Sequence, residues 1–158
     1  MYKMIFLLWF LLLLPLAVGA QPTDSKDSVT TLKLGDSTFA VPFGCQAISP
    51  YQIKCADYEL VWLYFPHEQV NAVLENTLSG MGKNLPNFTK KKVDAFLFGS
   101  KCEGYKIHFT KDTQNIHQLI AYGPLGKYSV VVQVVLYHEI NTNADLPEFA
   151  RRILALTL

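Results

Sequence analysis

The run Tyr128–Tyr137, Tyr-Ser-Val-Val-Val-Gln-Val-Val-Leu-Tyr, limits the folds open to this chain more than any other stretch. Five of its ten residues are valine, whose branched side chain is stiff at its first torsion and packs well on a pleated surface. The run predicts a strand of about 33 Å, at roughly 3.3 Å per residue. Val130, Val132, Val134 and Leu136 fall on one side of it, and Val131, Val135 and Tyr137 on the other. Apolar residues on both sides mark a strand covered on both faces, whereas a half-exposed strand alternates. The fold expected from this run is therefore α/β, an antiparallel sheet covered by helices. Gly123-Pro124-Leu125-Gly126 turns the chain into the strand, and Asn141-Thr142-Asn143 leads it out.

The N-terminus is of another kind. Lys3 gives a short basic start, Ile5–Leu14 is wholly apolar, Pro15 breaks the run, and Val18-Gly19-Ala20 places small residues at a cleavage position. This is the layout of a secretory signal peptide over residues 1–20. Ile5–Ala20 spans 16 residues, short of the roughly 20 that cross a bilayer as a helix, so the cleaved chain is expected not to span a membrane and to be periplasmic or extracellular. Residues 21–31 are polar and aperiodic and predict a mobile leader; residues 32–158 are then one domain. Beyond residue 20 the chain carries 13 basic and 13 acidic side chains. That balance argues against nucleic acid as a partner, because such binders carry a basic excess on one face. The one basic run, Lys90-Lys91-Lys92, reads as a solvated strand edge that guards against sheet-to-sheet pairing.

Export allows disulfides, and Cys45, Cys55 and Cys102 follow the cleavage site. Cys45 with Cys55 is the favoured pair, since Ser49-Pro50 turns the chain between them. Cys102, between Lys101 and Glu103, is then a free thiol in what reads as an exposed turn. As a nucleophile it would need a basic partner and a lowered pKa, which adjacency to Lys101 does not establish.

Along the rest of the chain, Leu32–Leu34 and Ser37–Val41 read as strands about Gly35-Asp36, followed by strands at Gln52–Lys54 and Tyr58–Phe65. Val70, Val73, Leu74, Thr77, Leu78 and Met81 recur at helical spacing, with Gly80 and Gly82 as the expected stop. Strands follow at Lys92–Phe98, Tyr105–Thr110 and Ile116–Tyr122. A final helix is expected from Asp145 as N-cap, with Glu148 completing a capping box and Leu146, Phe149, Ala150, Ile153 and Leu154 as its buried stripe.

This order of elements, with Gly35 and Phe39-Ala40-Val41-Pro42, Gly104-Tyr105-Lys106-Ile107, Tyr128-Ser129-Val130-Val131 and Ala150-Arg151-Arg152-Ile153-Leu154, resembles the PsbP-like superfamily over roughly residues 32–158. The resemblance implies a PsbP-like α/β sandwich and carries over no catalytic motif. His108, His117 and His138 fall on three consecutive expected strands, with Glu139 beside the last, so a metal site is conceivable. Strand order alone does not make side chains converge, however, and no compact metal spacing occurs. No nucleophile elbow, phosphate loop or dinucleotide fingerprint is present either. No residue is therefore assigned as catalytic, cofactor-binding or metal-ligating, and no cofactor is implied. Asn87-Phe88-Thr89 fits a glycosylation acceptor, which matters only in a chain exported through an endoplasmic reticulum. Trp62, Tyr64, Phe65, Phe88, Phe96 and Phe98 read as core, with Trp62 or Phe96 as candidates to line a groove. The function expected is an exported, non-catalytic binding or accessory module with a protein partner. The alternatives are a metal-assisted hydrolase and an inhibitor or immunity protein.

Overall fold

The structure, a computed structural model, describes residues 29–157. The expected signal peptide, residues 1–20, and the leader as far as residue 28 lie outside the described residues. β1 (Thr31–Leu34) and β2 (Ser37–Ala40) pair as a hairpin. The other strands are β3 (Gln46–Ser49), β4 (Gln52–Lys54), β5 (Tyr58–Phe65), β6 (Thr89–Leu97), β7 (Ser100–Lys111), β8 (Gln114–Leu125), β9 (Tyr128–Leu136) and β10 (Leu154–Leu156). They form one sheet of eight in the order β10-β6-β7-β8-β9-β5-β4-β3, antiparallel at every pairing.

β9 lies inside the sheet between β8 and β5, as its two-sided apolar sequence requires. Val130, Val132, Val134 and Leu136 enter a core cluster on one face, and Val131 enters a second cluster on the other. The second cluster is roofed by α1 (Val70–Asn84), which lowers Val70, Leu74, Leu78 and Met81 onto Ile107, Phe109, Ile116 and Ile120. Gly80 and Gly82 do not stop this helix. Gly82 lies against the Phe88 ring, where an added Cβ would stand at 3.4 Å, and Met81 is buried one residue before it. Tertiary packing thus outweighs the roughly 1 kcal/mol that each helical glycine costs. The helix ends at Leu85, which turns extended (ψ 130°) ahead of Pro86, as the proline ring demands of the residue before it.

The expectation of a sheet covered by helices, and with it the α/β sandwich, does not hold. Strand makes up 53% and helix 17% of the described residues, and α1 is the one long helix among them. The face away from α1 is covered by the β1–β2 hairpin, through Leu32, Leu34 and Phe39, and by the chain from Ile140 to Leu156. The expected C-terminal helix is broken into a 3-10 turn at Asn143–Asp145, a four-residue helix α2 (Glu148–Arg151) and strand β10. Pro147 is the cause: Leu146 before it is extended (ψ 140°), so the chain cannot run helically from Asp145 into Glu148. Asp145 is not the N-cap but the third residue of a capping box opened by Thr142. The stripe Leu146, Phe149, Ala150, Ile153 and Leu154 is nevertheless wholly buried; a β-rich fold uses the same apolar residues without the helix.

Candidate functional site

Three turns and the end of β5 meet at the end of the sheet where β9 begins, and they enclose a groove of about 430 Å³. The β1–β2 turn brings Gly35, which occupies the left-handed region (φ +60°) that residues with a Cβ adopt only at a cost. Its N–H donates to the Tyr64 phenol oxygen at 2.7 Å. The β3–β4 turn brings Tyr51, tied inward because the Trp62 N–H donates to the Tyr51 carbonyl at 3.0 Å. The Lys33 N–H donates to the Pro50 carbonyl at 2.9 Å, which fixes the hairpin to that turn. Finally, the β8–β9 turn at Gly126 brings Lys127 and Tyr128.

The result is a row of three tyrosines. Tyr51 and Tyr64 meet edge to face at 6.1 Å, and Tyr64 and Tyr128 at 6.4 Å. Tyr51 and Tyr128 are 44% and 42% exposed, a large aromatic area left open to solvent. Lys33 and Lys127 stand on the rim with Asp36, and the Lys127 ammonium is 5.4 Å from the Tyr128 ring centre. Such a surface offers ring faces, phenol hydroxyls and two cations. Ring faces with a few polar groups around them are the kind of lining that binding sites use.

The residues singled out from sequence are placed as follows. Cys45 and Cys55 are joined by a disulfide. It walls a second hollow, of about 610 Å³, beside which Phe43 stands wholly exposed. Cys102 is free, but it is not in an exposed turn: it lies on β7, 8% exposed, and burial pushes its thiol up to about 11. A buried thiol of that acidity is a poor nucleophile. Trp62 is core at 1% exposure, with its indole N–H donating to the Lys33 carbonyl at 2.6 Å, and lines no groove. Asn87 is exposed at φ +54° and its amide donates to the Thr110 hydroxyl at 3.0 Å. Lys90–Lys92 lie on the half of β6 that β10 leaves unpaired, and Lys92 meets Glu103 at 2.9 Å.

Of the three histidines, the sheet brings two together. His108 and His117 are registered across β7 and β8 with ring centres 4.9 Å apart. Burial, and then His108, press the His117 pKa downward. His138 is drawn aside, its Nε2 2.9 Å from the Asp145 carbonyl oxygen. Among the described residues no group of three or more His, Cys, Asp or Glu side chains is placed to hold a metal ion. His67 Nδ1 lies 3.0 Å from the Ser129 hydroxyl, but Ser129 is 4% exposed and neither residue lines either hollow. The pair ties the chain before α1 to β9.

No protein-family profile matches the chain, and no curated protein does. These comparisons leave the PsbP-like resemblance where the sequence put it. A search of solved structures finds similarity to the crystal structure of a protein of unknown function from Pseudomonas aeruginosa, a suggested regulator. The match has 15% identity and a TM-score of 0.41, and covers 77% of this chain and 88% of that one. At that distance it bears on no functional argument.

The tyrosine groove is what the sequence left unread. Its parts are far apart in the chain, at residues 33–36, 51, 64 and 125–128. The available signal is that Tyr51 and Tyr128 stand beside turn-favouring residues, Pro50 and Gly126.

Proposed function

We propose that this chain is an exported, non-catalytic binding or accessory module that takes a protein partner in the groove lined by Tyr51, Tyr64 and Tyr128. The observation that carries the reading is the tyrosine row itself. Aromatic side chains left in solvent inside a polar rim are the surface composition that protein interfaces favour. The Cys45–Cys55 disulfide is consistent with an oxidising compartment, and no helix among the described residues is long and apolar enough to cross a membrane. The test is a comparative pull-down from the periplasm or medium with the native protein and the Tyr51→Ala/Tyr128→Ala double variant. The expected result is a partner that the native protein retains and the folded variant loses. Recovery of the same proteins by both, or of none by either, removes the reading.

The inhibitor or immunity reading has one observation of its own. Phe43 stands wholly exposed two residues from the disulfide that anchors its loop. On that reading Phe43→Ala abolishes partner inhibition and the tyrosine variant does not.

A further inference from the structure

β7 and β8 are joined by a two-residue turn, Asp112-Thr113, with both residues at positive φ (+47° and +70°) and Lys111 registered with Gln114. In such a hairpin the pair flanking the turn is hydrogen-bonded, and the pairs alternate from there. Counting back along the register, His108 and His117 form a non-hydrogen-bonded pair, the kind in which Cα atoms stand only about 4.5 Å apart and side chains are closest. The 4.9 Å between the ring centres agrees with this count. Neither backbone is free to move. His108 is registered with Thr89 on β6 as well as with His117, and His117 with Leu136 on β9 as well as with His108. The two imidazoles project from the face opposite α1, since Ile107, Phe109, Ile116 and Ile120 between and beside them point into the helix-side core.

We propose that His108 and His117 form a two-histidine chelate for a divalent transition-metal ion of the class that imidazole prefers, copper, nickel or zinc, with water in the remaining positions. One contact that would orient a ligating ring is in place: His108 Nε2 lies 3.3 Å from the Asn115 amide oxygen. A metal-ligating imidazole ordinarily gives its other N–H to such an acceptor, which fixes the ring and frees the second nitrogen for the ion. The charges that reach His117 are those of Glu139, which favours a cation, and of His108, His138 and Lys106, which oppose one. Lys106 is directed toward the Asn141 amide oxygen at 3.4 Å and His138 toward Asp145. With two protein ligands the ion keeps open positions, unlike the four-ligand sites that hold structural zinc. The site is independent of the tyrosine groove. Tyr128 begins β9 and Leu136, beside His117, ends it, so about 26 Å of strand separates the two.

Isothermal titration of the purified protein with copper(II), nickel(II) and zinc(II) salts, each alone, tests the proposal. The expected result is one equivalent bound, with copper(II) tightest, as the general order of divalent affinities requires. His108→Asn and His117→Asn should each weaken binding by about tenfold or more, and His138→Asn by less than about threefold. Circular dichroism establishes that each variant is folded. Copper(II) added to the native protein should also broaden the ring proton resonances of His108 and His117 ahead of those of His67 and His138, a readout that needs no variant. Failure of all three ions to bind, binding that survives both substitutions, or broadening centred on another histidine overturns the chelate.

Discussion

Cys102 shows how one strand position changes the chemistry of a side chain. Its neighbours Lys101 and Glu103 are charged and exposed, and in a turn they would leave the thiol open. On β7 they alternate with it instead. Cys102 enters the core cluster, while Lys101 reaches Asp94 at 3.2 Å and Glu103 reaches Lys92 at 2.9 Å. Burial is the largest influence on the thiol and raises its pKa to about 11. At pH 8 only about one molecule in a thousand then carries the thiolate, the form that reacts. Iodoacetamide at pH 8 should therefore label Cys102 in the native protein at least about a hundredfold more slowly than in guanidinium chloride, as followed by mass spectrometry. Equal rates in the two conditions would show that the thiol is not enclosed as described. The same alternation makes Gly123 more than a turn residue. An added Cβ there would stand 3.0 Å from the Cys102 Cβ, so the small residue and the buried thiol share one space.

At the scale of elements, the C-terminal segment separates what patterning can reveal from what it cannot. Its apolar residues were legible, because burial of Leu146, Phe149, Ala150, Ile153 and Leu154 follows from hydrophobicity alone. Its conformation was not, because their spacing suits a helix while Pro147 holds Leu146 extended and breaks it. β10 was hidden for a further reason: a three-residue strand has too little period to register, and it exists through partners distant in sequence. On its inner side it pairs with β6 from Ala95 to Leu97. On its outer side the Asn143 side chain takes the place of a neighbouring strand, since the Leu156 N–H donates to Oδ1 at 2.6 Å and Nδ2 donates to the Leu156 carbonyl at 3.0 Å. One amide thus satisfies both outward groups of Leu156, on an edge that would otherwise offer them to another chain. Asn143→Ala leaves both groups without that partner and should destabilise the protein by roughly 1 to 3 kcal/mol. Asn143→Asp keeps the acceptor, loses the donor and should fall between. Urea melts read both variants, and a melt of Asn143→Ala within about 0.3 kcal/mol of native would show that water replaces the amide at no cost.

For the whole molecule, the decisive feature is a sheet with two unlike covers. The two-sided apolar character of β9 announced both faces, but not the nature of either cover; one is α1 and the other is a hairpin with a broken C-terminal segment. Functional features were less legible than the core for the same reason. The tyrosine groove is assembled by three turns and the end of β5, and the His108–His117 pair depends on a register that a sequence period does not fix across strands. The sheet also separates the two cores. Leu74 belongs to the cluster under α1 and Ile153 to the cluster on the opposite face, so the backbone layer of β8 and β9 lies between them. Leu74→Ala and Ile153→Ala each remove a side chain that is at most 5% exposed and should each cost roughly 2 to 5 kcal/mol. If each core relaxes on its own side, the double variant should equal the sum of the two within about 0.5 kcal/mol. A total of that size would exhaust much of a typical domain's 5 to 15 kcal/mol, so the melts are best run at low temperature in a stabilising salt, with all four members of the cycle in one buffer. A coupling above about 1 kcal/mol would mean that the sheet shifts as a unit when either cover is weakened. β9, which carries valines into both clusters, would then be the strand that transmits the shift.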